Sequence, residues 1–220
     1  MKAIARAQGD ATVNDVLLGA VAGALGTLLR SRGEQVEELV ATVMVAAAPA
    51  GGAAAGAARP GSASRSAGNQ ARSQASNQAG IAPVALPTGG TLTDRLPAIA
   101  ARTRPRTQGH RGASAVPLGV ALHLLARLRL LRWCIDHQRM VHTFVTNLRG
   151  PAEPVRIAGV TVTGLVPISL ATGNVTVAFA AMSYAGTMTV TVVTDPTHHP
   201  DRDVLLRALE AELVTGRPGS

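Results

Sequence analysis

The chain predicts an α/β fold of mixed α+β layers, with a mixed sheet flanked by helices. Three observations predict it. Apolar residues recur at helical spacing in the first thirty residues and again between 118 and 135. Two short β-branched runs, VATVMV at 40–45 and IAPVAL at 81–86, separate those helical stretches. From Thr143 to Thr194, aliphatic runs alternate with Gly, Pro and Asn in the manner of a strand meander. Helices interleaved with strands early and strands in succession late imply a layered sheet with helices on one face.

The first helix starts after Thr12, because Asp15 three residues later completes a capping-box pattern. Val13, Leu17, Val21, Ala24, Leu25 and Leu28 form its apolar stripe. Gly19, Gly23 and Gly26 each weaken such a helix by about 1 kcal/mol relative to Ala, so they imply close approach of another backbone. Gly33 is a natural stop, with Arg30 and Arg32 complementing the helix dipole. After the strand at 40–45, residues 46–78 hold only Ala, Gly, Ser, Gln, Arg, Pro and Asn. That composition cannot bury enough apolar surface to offset ordering entropy, and predicts a low-complexity, disordered insert.

Pro87-Thr88-Gly89-Gly90 turns the chain out of the strand at 81–86. Thr93 is placed to cap a helix over 94–103, with Pro97 near the end of its first turn. Residues 102–111 read as a basic connector, and Pro117 opens a second long helix. Strands follow at about 143–147, 154–157, 160–167, 174–183 and 187–194, with Ala185-Gly186 as a hairpin turn. Asp201 or Asp203 starts a closing helix over 204–214.

Composition narrows the function classes. The 220 residues are 46% hydrophobic but only 2% aromatic, so the core is aliphatic. The net charge of +8 is carried almost wholly by arginine, with Lys2 the single lysine. Such a surface favours polyanions, anionic headgroups or a phosphorylated substrate, and charge alone does not choose among them. The lone Cys134 excludes an intrachain disulfide and a multi-cysteine zinc site. No metal site is expected. Neither a dinucleotide-binding glycine motif nor a P-loop is present, and the few aromatic residues argue against stacking on nucleic acid. The amino end lacks the apolar run of a secretory signal, and the apolar stretch 16–29 falls short of the roughly 20 residues that span a bilayer. The expected location is cytoplasmic, with peripheral contact at an inner membrane or lipid droplets as an option.

The punctuation of the last third also matches a family pattern in order and spacing. Asn147-Leu148-Arg149-Gly150-Pro151, Gly159, Ser183-Tyr184-Ala185-Gly186 and Asp195-Pro196 resemble the N-x-x-G-P, A-G, S-Y-x-G and D-x elements of the bacterial wax ester synthase/diacylglycerol acyltransferases. Asn14-Asp15 is similar to that family's N-D motif. The resemblance runs over most of the chain, and it is to the carboxy-terminal domain only. It implies a chloramphenicol acetyltransferase-like fold over 1–215, the half of a coenzyme A-dependent O-acyltransferase that lacks the catalytic amino-terminal domain. It further implies acyl-CoA as substrate rather than cofactor, and diacylglycerol or a long-chain alcohol as acceptor. The two halves would enclose a substrate tunnel serving triacylglycerol or wax ester synthesis, with this half as one wall, inactive alone.

Asn14, Asp15, Asn147, Gly150 and Pro151 are the candidates for substrate binding or the domain seam, by that resemblance. Each also has a purely local reading: Asp15 caps a helix, and Gly150 and Pro151 turn the chain. His198, His199 and Asp203 reproduce the spacing of the family's catalytic H-H-x-x-x-D-G, but Val204 replaces its Gly, and the run follows the last strand instead of preceding the N-D element. Two histidines in such a loop read as exposed, and no catalytic residue is assigned. Two alternatives remain open at this stage: a non-catalytic module that binds lipid or a membrane surface, and a gene remnant.

Overall fold

A computed structural model describes residues 11–45, 80–108 and 136–215, with Met1, Ile4, Ala5, Arg127 and Trp133. The elements are α1 (Val13–Ser31), β1 (Glu38–Val45), β2 (Gly80–Pro87), α2 (Leu92–Gln108), β3 (Thr143–Arg149), β4 (Arg156–Ile157), β5 (Val160–Thr161), β6 (Val177–Tyr184), β7 (Thr187–Thr194) and α3 (Arg202–Thr215). The low-complexity insert at 46–78 and most of the helix that begins at Pro117, with Cys134, lie outside the described residues.

Five strands form one sheet in the order β2-β1-β3-β6-β7. Both outer pairs are antiparallel, whereas β1, β3 and β6 run parallel. The sheet is therefore mixed and flanked by helices, as the sequence predicts. The odd-numbered positions of β1, β3 and β6, including Leu39, Val43, Val145, Val177, Phe179 and Ala181, share one core cluster with Val84 and Leu86 of β2 and with Leu17, Val21, Leu28, Leu205 and Leu209 of α1 and α3. At 19 residues, α1 is long and apolar enough to cross a bilayer, but 72% of its apolar window is buried inside the fold.

The capping box of α1 is present: the Asp15 amide donates to Thr12 Oγ1 (3.2 Å) and the Thr12 amide to Asp15 Oδ2 (2.8 Å). Gly33, at φ +81°, ends the turn, and the Glu34 amide donates back to the Leu29 carbonyl at 2.9 Å. The expected close backbone is met only at Gly26, against the Thr88 carbonyl, whereas Gly19 and Gly23 make room for side chains. A Cβ on Gly23 would overlap the ion pair between Arg95 of α2 and Glu212 of α3. Buried Arg95 also donates to the Gly90 carbonyl at 2.7 Å, so one guanidinium, seated against Gly23 of α1, joins α3 to the turn before α2.

Four local expectations need correction. Thr91, not Thr93, caps α2: its hydroxyl accepts from the Asp94 amide at 3.3 Å and its amide donates to Asp94 Oδ2 at 2.8 Å. Asp94 lies three residues beyond Thr91, so the box closes only from there. The expected basic connector from 102 is helix as far as Gln108, and the start at Leu92 puts Pro97 past the first turn. The strand expected at 154–157 is the two-residue β4. The run expected as a strand at 160–167 forms a ladder only at Val160–Thr161, beyond which a single further backbone bond, from the Val162 amide to the Val155 carbonyl at 2.9 Å, extends the pairing. The Ala185-Gly186 turn is as expected, with both residues at positive φ.

Candidate functional site

The connections sort the candidate residues by end of the sheet. α1 leads into β1 through a short turn, so the carboxyl end of β1 returns toward the start of α1. β3 and β6 run parallel to β1. The carboxyl ends of all three central strands therefore gather at the end where α1 begins. Asn14 and Asp15 open α1 there, and Asn147, Gly150 and Pro151 close β3 there. The two sequence-predicted groups thus share one end of the domain, which in open α/β sheets is the end where ligands collect.

At that end Asp15 is buried and fully engaged. Its Oδ2 also accepts the Thr12 hydroxyl at 2.7 Å, and Oδ1 accepts the hydroxyl of Thr103, from α2, at 2.7 Å. Its visible role is to lock the start of α1 against α2. Thr103 carried no sequence signal, because it lies 88 positions away. Asn14 is half-buried beside it.

Asn147 is half-buried and opposite Ala181 in the parallel ladder. The ladder continues past the strand: the Gly150 amide donates to the Ser183 carbonyl at 2.9 Å, and the Ala185 amide to the Pro151 carbonyl at 3.0 Å. A Cβ on Gly150 would overlap the same Ser183 carbonyl. The requirement for glycine here comes from close approach as well as from turning. Arg149 is exposed at this end. Tyr184 is buried, and its hydroxyl accepts from the Val155 amide and donates to the Val162 carbonyl, both at 2.8 Å. That phenol pins the β4–β5 hairpin to β6.

The double-histidine run sits at the opposite end. His198 is exposed, as expected, with Nδ1 2.9 Å from an Asp195 carboxylate oxygen. His199 is not exposed: it is buried at 7% relative exposure, which corrects the expectation for it. Its Nε2 is 2.8 Å from Thr176 Oγ1, and its Nδ1 is 3.4 Å from an Arg32 nitrogen. Arg32 can only donate, so Nδ1 is the lone-pair nitrogen and Nε2 carries the proton. Burial, and then the Arg32 charge, hold the imidazole pKa below its ordinary value. Arg32 also binds both Asp201 oxygens (2.5 and 2.8 Å) and the His198 carbonyl (3.0 Å), and lowers the Asp201 pKa. Both ring nitrogens are thus committed, Nδ1 to tying the β7–α3 loop to the end of α1 and Nε2 to tying it to the start of β6.

A family model described as the WS/DGAT C-terminal domain matches residues 75–215. No curated protein sequence matches the chain. The wax ester synthase/diacylglycerol acyltransferase from Marinobacter aquaeolei VT8 is similar in structure, with a TM-score of 0.68 at 20% identity over 98% of this chain and 45% of that chain. A mutant of the starter condensation domain of rhizomide synthetase RzmA is more distantly similar, with a TM-score of 0.50 at 14% identity over 96% of this chain and 42% of that one. At these identities the likeness establishes the fold. The chain spans less than half the length of either structure.

Proposed function

This chain belongs to the WS/DGAT C-terminal domain family, and from that premise we propose that it is the carboxy-terminal half of an acyl-CoA-dependent O-acyltransferase that makes triacylglycerol or wax esters. The observation that carries the reading is the family match over 75–215, on a fold that superposes on 45% of a wax ester synthase. Acyl-CoA is a substrate in this reading, and diacylglycerol or a long-chain alcohol is the acceptor. No resident cofactor or metal is invoked. A companion half supplies the general base. The end of the sheet that bears Asn14, Asp15, Asn147, Gly150 and Pro151 forms one wall of the substrate tunnel. Asp15 and Gly150 shape that wall through the contacts described above, and half-buried Asn147 and Asn14 are the side chains left to meet substrate.

The binding commitments of His199 support assigning the base elsewhere. A general base needs a free lone pair within reach of the proton it takes, and here the lone pair at Nδ1 faces a guanidinium. The isolated chain should give no acyl transfer from radiolabelled long-chain acyl-CoA to diacylglycerol or hexadecanol. Adding a polypeptide with the H-H-x-x-x-D-G half should restore it. Turnover by the chain alone, lost in His199→Ala, would overturn the assignment. The +8 charge favours a second, compatible reading, peripheral contact with anionic lipid at an inner membrane or lipid droplet. Flotation with anionic but not neutral liposomes, reversed by salt, tests it.

A further inference from the structure

Among the described residues the sheet ends in two unlike edges, β2 and β7. At β2 the Thr88 amide donates to the Glu37 carbonyl at 3.0 Å, so strand alternation turns the backbone groups of Ile81, Pro83, Ala85 and Pro87 outward. The two prolines have no amide to offer there, and the Ala85 carbonyl accepts from Arg102 at 2.9 Å. That edge is blunted against a further strand. At β7 the two-residue turn Ala185-Gly186 makes Tyr184 and Thr187 the first bonded pair of the β6–β7 ladder. The Asp195 amide on the Thr176 carbonyl, at 2.9 Å, keeps the same phase at the other end. Odd-numbered residues of β7 therefore bond β6. The amides and carbonyls of Met188, Val190, Val192 and Thr194 point away from the sheet, with no partner among the described residues. This edge is eight residues long, without a charge, a proline or a bulge. Residues 163–171 join no ladder among the described residues and do not fill the place. The Thr191 hydroxyl holds Pro167 over the face of β7 that Val190 and Val192 turn away from.

We propose that β7 pairs antiparallel with β7 of a second copy of this chain, about a two-fold axis at Val190, so that two sheets become one. This goes beyond the reading above and does not depend on it. The pairing is self-complementary. With Val190 opposite Val190, Met188 faces Val192 on the core side and Thr189 faces Thr191 on the other. In that register the outward groups of Met188, Val190 and Val192 exchange amide–carbonyl bonds with their counterparts. Met188, Val190 and Val192 are half-buried against the core cluster, and a partner strand extends that apolar layer. Charge favours the same seam. Copies of a chain with a net charge of +8 repel one another, and β7 brings no charged side chain to the contact. A foreign peptide would draw its specificity from pockets beside the edge, whereas here the strand's own alternation supplies the match. The blunted β2 edge stops growth at two copies.

The test uses the full chain. Size-exclusion chromatography with light scattering should show a dimer at about 100 μM chain and a monomer on dilution. Exchange of the Met188, Val190 and Val192 amides should slow by about tenfold or more between the dilute and the concentrated sample. Val190→Pro deletes the central outward amide and leaves the β6–β7 bonds in place. Thr189→Lys sets two ammonium groups on a diagonal across the seam, about 7 Å apart. Each should weaken the dimer by about tenfold or more, and Thr189→Lys decides the matter where the proline disturbs folding. A monomer at every concentration overturns the proposal, and so does a dimer that Thr189→Lys leaves intact. Protection of the same amides only on adding the unmatched part of the Marinobacter enzyme gives the edge to a companion strand and overturns the second copy as well.

Discussion

The two faces of the sheet are finished differently. On one face α1 and α3 cover residues such as Val43, Leu86, Val145 and Phe179, and Leu17, Leu18, Phe179 and Leu205 have essentially no solvent exposure. On the other face Thr191 and Tyr184 hold a hairpin and an unpaired strand, whose outer apolar side chains stay in water. The first face is closed by hydrophobic burial, which is non-directional and is completed by the chain's own helices. Among the described residues, the second is held by a few hydrogen bonds. One sequence thus encodes both a buried core and a row of apolar side chains left in water.

The sharpest way to break the closed face is Phe179→Ala, which should cost about 3–5 kcal/mol in urea unfolding because the surrounding helices cannot collapse into the space. Gly150→Ala probes the junction of the two faces. Its Cβ would meet the Ser183 carbonyl, and a backbone atom cannot swing aside as a side chain can. A loss of about 3 kcal/mol is expected; a neutral result would mean the close approach of β3 to β6 is not maintained in solution.

Asp15→Ala removes the acceptor for the Thr12 amide and leaves the Thr103 hydroxyl unpaired, and should lower stability by about 2 kcal/mol. An unfolding midpoint that does not move would return Asp15 to a purely functional role. The His199 contact sharpens the comparison by pH. Its pKa is lower folded than the ordinary 6.5, so the unfolded chain binds the extra proton first. The stability it contributes is complete above about 6.5 and is lost as pH falls through the lower folded value. His199→Gln, which keeps one donor and one acceptor, should flatten that loss in midpoints measured from pH 7.5 to 5; an unchanged slope would assign the loss to other groups. The smallest effect belongs to the open face: Ile168→Glu should change stability by less than about 0.5 kcal/mol.

Legibility in the sequence followed the range of the interactions. The Thr12–Asp15 box, the Gly33 stop and the Ala185-Gly186 turn each close within a few residues, and each reads directly. Thr91 was missed as the cap of α2 because Thr91 and Thr93 both precede Asp94, and only the three-residue spacing separates them. His199 read as exposed because neither Arg32, 167 positions away, nor Thr176, 23 positions away, can be paired with it by inspection. The five site candidates were found by motif order. Their gathering at one end of the sheet follows from the parallel run of β1, β3 and β6, which no local pattern states.

By itself, the order of apolar periods and turn residues determined most of the helices and strands and the aliphatic core. Those depend on local propensity and on which side chains avoid water, and both are written residue by residue. Only the tertiary structure decided the strand order, the burial of His199, the need for glycine at 150 and the unpaired state of 163–171. Each depends on which distant backbone arrives alongside, and hydrogen-bonding groups carry no label for a partner that sequence distance separates from them.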